Sequence, residues 1–122
     1  MRDFPTADVM STLTGRLMGQ ISGVYEVLNW MTGESVYTHQ LPRISREAQP
    51  VILAAHPELA PTIAEAESVT RDNYQAVLSD WVSRFGETIS VPKFSAAEHE
   101  AIDPLSELAE IVHPDKIITV QL

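Results

Sequence analysis

The clearest hydrophobic period in the chain runs from Arg71 to Phe85, where Tyr74, Val77, Leu78, Trp81, Val82 and Phe85 make an unbroken apolar stripe. Spacings of three and four residues place such side chains on one face of a helix. Thr70 suits the cap, Asp72 suits the positive end of the dipole, and Gly86 suits the stop. Asp80 and Arg84 stand four apart as an exposed ion pair. A second period, Ile21, Val24, Tyr25, Leu28 and Met31, predicts a helix over residues 16–31, closed by Gly33 in a left-handed conformation. Gly19 and Gly23 weaken that helix, each by up to about 1 kcal/mol relative to alanine, and leave room for another element to cross. A third period, Ile44, Ala48, Val51, Ile52 and Ala55, predicts a helix starting at Leu41-Pro42. Pro50 lacks a backbone donor and clashes with the Arg46 carbonyl, so this helix is expected to kink or to split at Gln49-Pro50.

The remaining elements are shorter. Thr6 as cap, Asp8 in the first turn, Val9, Met10 and Leu13 on the buried side and Gly15 as stop define a short first helix. Asp103-Pro104 starts another, with Ser106 and Glu107 in its first turn and Leu105, Leu108, Ile111 and Val112 on its buried face. Thr88 to Val91 is alternating and β-branched and reads as a strand ended by Pro92. Ile117 to Val120 reads as a second strand, and Arg2-Asp3-Phe4 as the source of a third. Val36 to His39 is a brief extended segment. Residues 62–69 are acidic with little periodicity, which makes them a loop or a loose helical turn and the place for any flexible connection. The expected fold is α+β: a single compact domain over residues 1–122, with four to five helices and a small two- or three-stranded sheet.

Composition narrows the class further. A chain of 122 residues buries roughly two-thirds of its unfolded surface and folds without a staple. It has no cysteine, which removes disulfides and thiolate metal sites. The longest apolar run, Val51 to Ala55, is far short of the ~20 residues that cross a bilayer, and the first residues lack the apolar core of a signal peptide. The expectation is a cytoplasmic protein with no membrane partner. The net charge is −9, and it is unevenly placed: residues 1–56 carry four Arg against five Asp and Glu, whereas residues 57–122 carry two Arg and two Lys against twelve Asp and Glu. Such a surface repels phosphate backbones and steers the chain towards a basic partner, so no direct nucleic-acid binding is expected.

No catalytic signature is present. The histidines, at 39, 56, 99 and 113, form no paired metal motif, and there is no serine elbow, SxxK or phosphate-cradling glycine loop. His99, within Ala97-Glu98-His99-Glu100, reads as a solvated residue. No cofactor, metal site or enzymatic activity is expected. One polar cluster stands out: Tyr37, Thr38, His39, Gln40, Arg43 and Arg46 gather where a helix starts. Backbone donors at such a start attract anions, and arginine grips carboxylate or phosphate with a planar fork. Tyr37 or Trp30 adds a stacking surface. The cluster admits two readings. Either it takes an anionic small ligand or an acidic protein segment, or His39 and Gln40 tie down the loop while the arginines turn to helix carbonyls or to the acidic C-terminal half.

The segments LNWMTGESVYTHQLPR, WVSRFGETISV, DPLSELAEIV and IITVQL, with TGxxxxTHQLPR as the most specific core, resemble a family of small uncharacterised proteins of bacteriophages and prophages. The resemblance covers most of the chain and carries no activity over to any residue. What it implies is a setting, in which small acidic proteins bind and disable a host factor such as an antiviral defence component. The expectation is therefore a non-enzymatic accessory protein in the bacterial host cell, acting on a host protein with a basic surface. Binding of a nucleotide-like signal at THQLPR is the alternative, and a homodimer is compatible with either.

Overall fold

The computed structural model describes residues 1–95 together with Glu98, His99, Leu105 and Glu107. Strand β1 (Arg2–Pro5) pairs antiparallel with β2 (Thr88–Val91), in a register that sets Arg2 opposite Val91 and Phe4 opposite Ile89. The N-terminal segment, expected as a third strand, is thus the direct partner of β2. Phe4, Ile89 and Val91 point into the core. Trp30 Nε1 donates to the Val91 carbonyl at 2.8 Å, and His56 Nε2 lies 2.6 Å from the Ser90 carbonyl. Side chains from outside the sheet therefore occupy acceptors on a sheet too narrow to satisfy them itself. The expected strand at Ile117 to Val120, and the body of the helix after Asp103, lie outside the described residues.

Helix α1 (Thr6–Thr14) follows β1 without a loop. Thr6 does not cap it. Its amide donates to the Glu87 carbonyl and its hydroxyl to the Gly86 carbonyl, which fastens the helix start to the turn before β2. Val9, Met10 and Leu13 are buried, and Gly15 closes the helix at φ 76°. Helix α2 (Ile21–Thr32) begins five residues later than its apolar period predicts. The Met18 amide donates to Ser11 Oγ at 2.7 Å, which turns the loop inward and buries Met18. That loop leaves Ile21 half exposed at the first position of α2 rather than on its buried face. Gly23 lies directly against the Asp8 side chain, in space a Cβ would need, so α1 crosses where the glycine spacing left room. Gly33 ends α2 at φ 71°.

A 3₁₀ turn, Thr38–Gln40, replaces the expected extended segment and leads into α3 (Leu41–Ala55). Helix α3 is one helix and not two, and Pro50 sits inside it on the exposed side. Its buried stripe is Ile44, Ala48, Val51 and Ile52. Residues 57–68 form consecutive helical turns around α4 (Pro61–Glu65), and Leu59, Thr62 and Ala66 pack inward at helical spacing. Small side chains disguised this as a loop. Helix α5 (Tyr74–Phe85) starts three residues later than expected, because Thr70 and Asn73 bond each other in a turn. Within its stripe only Trp81 is fully buried, and its Nε1 donates to Glu65 Oε1 of α4 at 2.9 Å. The architecture is α+β, with five α-helices on a two-stranded sheet among the described residues. No helix among them is long and apolar enough to cross a membrane.

Candidate functional site

The start of α3 is organised by Gln40. Its Oε1 accepts the Tyr37 amide at 3.1 Å, its own amide donates to the Tyr37 carbonyl, and its Nε2 donates to Glu107 Oε1 at 3.1 Å. Gln40 and Glu107 are each 3% exposed. Arg43 completes the arrangement: Nε and Nη2 donate to the two Glu107 oxygens, both at 2.8 Å, while Nη1 reaches Glu47 at 3.0 Å. A two-pronged grip of this kind favours the charged forms of both groups. The bond from Arg43 holds the Glu107 carboxyl below its ordinary range, aided by Gln40. The same bond to Glu107 holds the Arg43 guanidinium above its own, against the opposing effect of burial.

The two readings of the polar cluster therefore divide by residue. Arg43 and Gln40 turn inward to a glutamate of the acidic half. Arg46 turns outward, is exposed, and makes no ion pair among the described residues. Helical geometry explains the divergence, because Gln40, Arg43 and Glu47 share one stripe of the helix start while Pro42, Arg46 and Gln49 share another. Thr38 is exposed with its hydroxyl 2.5 Å from the Tyr25 hydroxyl, and Tyr37 is 56% exposed beside His39. Trp30, the other candidate stacking surface, is covered by Lys93, whose Nζ lies 4.5 Å from the ring centroid.

His99 is the residue that sequence reasoning misplaced. Its side chain is 8% exposed, stacks on Phe94 with ring centroids 5.0 Å apart, and lies 2.7 Å from Glu47 and 3.3 Å from Glu34. The polar neighbours in Ala97-Glu98-His99-Glu100 gave no sign of this, since its partners are more than fifty residues away in the chain. Together Gln40, Arg43, Glu47, Glu107 and His99 form a continuous network. Every buried side-chain nitrogen and oxygen among the described residues has a partner. No group of three metal-ligating side chains occurs among them.

The outward stripe of α3 borders a groove of about 420 Å³ between α1, α2 and α3. Leu13, Val24 and Leu41 form its apolar floor, and Gln49 Nε2 bonds the Leu13 carbonyl at 3.1 Å. Leu17 and Ile21 form its lip, 52% and 50% exposed. On the far side of Leu17 lies a second groove of about 640 Å³, bordered by Arg16, Arg71 and Tyr74. Ile21, at the start of α2, is expected from the sequence on the buried face of its helix, and Leu17, in the loop before it, is assigned to no element face.

A family profile described as Domain of unknown function (DUF7736) matches residues 4–62, just under half of the chain. The matched stretch is similar to that family over α1, α2 and α3, and takes in every residue of the first groove. No curated protein and no solved structure matches the chain.

Proposed function

We propose that the chain is a non-enzymatic binding protein that docks its acidic surface on a basic face of another protein. The observation that supports this is the division of charge. Asp3, Glu67, Asp72 and Glu87 are exposed and make no ion pair among the described residues. Three cations are held by partners within the chain, Arg43 by Glu107 and Glu47, Arg84 by Glu65 and Asp80, and Lys93 over Trp30. Arg2, Arg16, Arg46 and Arg71 make no ion pair among the described residues, and the excess of carboxylates sets the net charge of −9. Uncompensated surface carboxylates steer association with basic surfaces and fix its register more than they deepen the affinity. The phage resemblance makes a bacterial host protein the partner class, with an antiviral defence component as the leading instance and the host cytoplasm as the setting. On this reading the chain inhibits its partner by occupying a basic surface that nucleic acid would otherwise contact.

Binding of a nucleotide-like signal at THQLPR has less support, because Gln40 and Arg43 are engaged with Glu107. Affinity capture from host lysate, run in parallel with wild type and with Glu67→Lys/Asp72→Lys/Glu87→Lys, tests the proposal. A protein retained by wild type and lost from the triple variant supports the acidic surface. Equal retention by both contradicts it.

A further inference from the structure

Four arginines make no ion pair among the described residues; Arg2 lies over the Phe4 ring, and the other three border two adjoining grooves. Arg16, Arg46 and Arg71 are exposed and make no ion pair among the described residues. Arg46 borders the first groove, and Arg16 and Arg71 border the second. Leu17 belongs to both and stands half exposed between them, with Ile21 beside it. In a chain of net charge −9, this is a cationic and apolar face on an otherwise acidic molecule. Exposed aliphatic side chains rimmed by unpaired charge mark contact surfaces.

We infer that this face receives an acidic amphipathic helix of a partner protein. The occupant follows from complementarity. Two hollows on either side of Leu17, with Leu13, Val24 and Leu41 in the floor of one, call for protruding apolar side chains at two places. Guanidinium groups at the rims call for carboxylates between them. A helix with apolar residues at i, i+3, i+4 and i+7 and Glu or Asp flanking them supplies both from one element. A bilayer fits less well, since the surface is concave and a net charge of −9 is repelled by anionic lipid. Nucleic acid is disfavoured by the same charge and by the apolar lips. None of Glu67, Asp72 and Glu87 lines either groove, although Asp72 adjoins Arg71 in the chain, so the two assignments rest on different residues and are tested by different variants.

The test is a displayed library of helical peptides, randomised among Leu, Ile, Phe and Met at the apolar positions and carrying Glu or Asp elsewhere. The full chain is used as bait, beside Arg16→Glu/Arg46→Glu/Arg71→Glu and, separately, Leu17→Ser. All four positions are exposed, so the variants are expected to fold. The expected result is enrichment of acidic peptides by wild type, with affinity lowered at least about tenfold by the charge reversal and measurably by Leu17→Ser. The Glu67→Lys/Asp72→Lys/Glu87→Lys variant is expected to retain the peptides. Failure of wild type to enrich any peptide overturns the inference. So does enrichment indifferent to the arginines, or binding of phosphatidylserine vesicles in place of peptides.

Discussion

At the scale of single residues, Arg43 decides how the start of α3 is read. Removing its side chain leaves Glu107 buried without its cation, and an uncompensated buried carboxylate is costly. Arg43→Ala is expected to lower stability by roughly 2–3 kcal/mol, measured by urea unfolding at neutral pH. Because Glu107 titrates below its ordinary 4.5 when folded, its contribution is present above that value and lost as pH falls through the lowered one. The gap between Arg43→Ala and wild type should therefore narrow in acid. Asp8 has the opposite sign: burial, and then the charge of Glu26, raise its folded pKa above 3.8. Its charged form is disfavoured in the fold, so Asp8→Asn is expected to raise Tm at pH 7 and to have no such effect well below pH 3.8. The residue types of the polar cluster were legible in the sequence, but their directions were not. Arg43 and Arg46 differ only by three positions, and what separates them is Glu107, sixty-four residues beyond Arg43.

At the scale of elements, periodicity located α3, α5 and β2 and glycine located the ends of α1 and α2, while the errors fell where side chains compete with the backbone. Met18 is drawn inward by Ser11, which delays α2, and the Thr70–Asn73 pairing delays α5. The crossing of α1 over α2 is the element-level feature most open to test, because Gly23 meets the Asp8 side chain. Alanine favours a helix over glycine by up to about 1 kcal/mol, but here its methyl displaces the Asp8 carboxylate. Gly23→Ala is expected to yield little or no gain in wild type and about 0.5–1 kcal/mol in an Asp8→Ala background. Chemical unfolding of the four proteins of this double-mutant cycle measures the coupling, and strict additivity would refute the packing assigned to the pair.

At the scale of the whole molecule, the acidic half and the arginine-bearing half are held together through Glu107 and Arg43 and through His99 between Glu34 and Glu47. The charge imbalance was readable from composition, and so was the α+β class. The arginine-bordered face was not, because Arg16, Arg46 and Arg71 come together only when α1, α2, α3 and the turn before α5 pack. The central claim is that the acidic surface makes the chain a binding protein for a basic partner. Its most direct test is the dissociation constant of the captured partner, titrated with sodium chloride from low to high ionic strength. Charge-driven docking predicts that the constant rises steeply with salt, chiefly through a slower association rate, and that Glu67→Lys/Asp72→Lys/Glu87→Lys flattens the slope. A dissociation constant unchanged across the titration would contradict it.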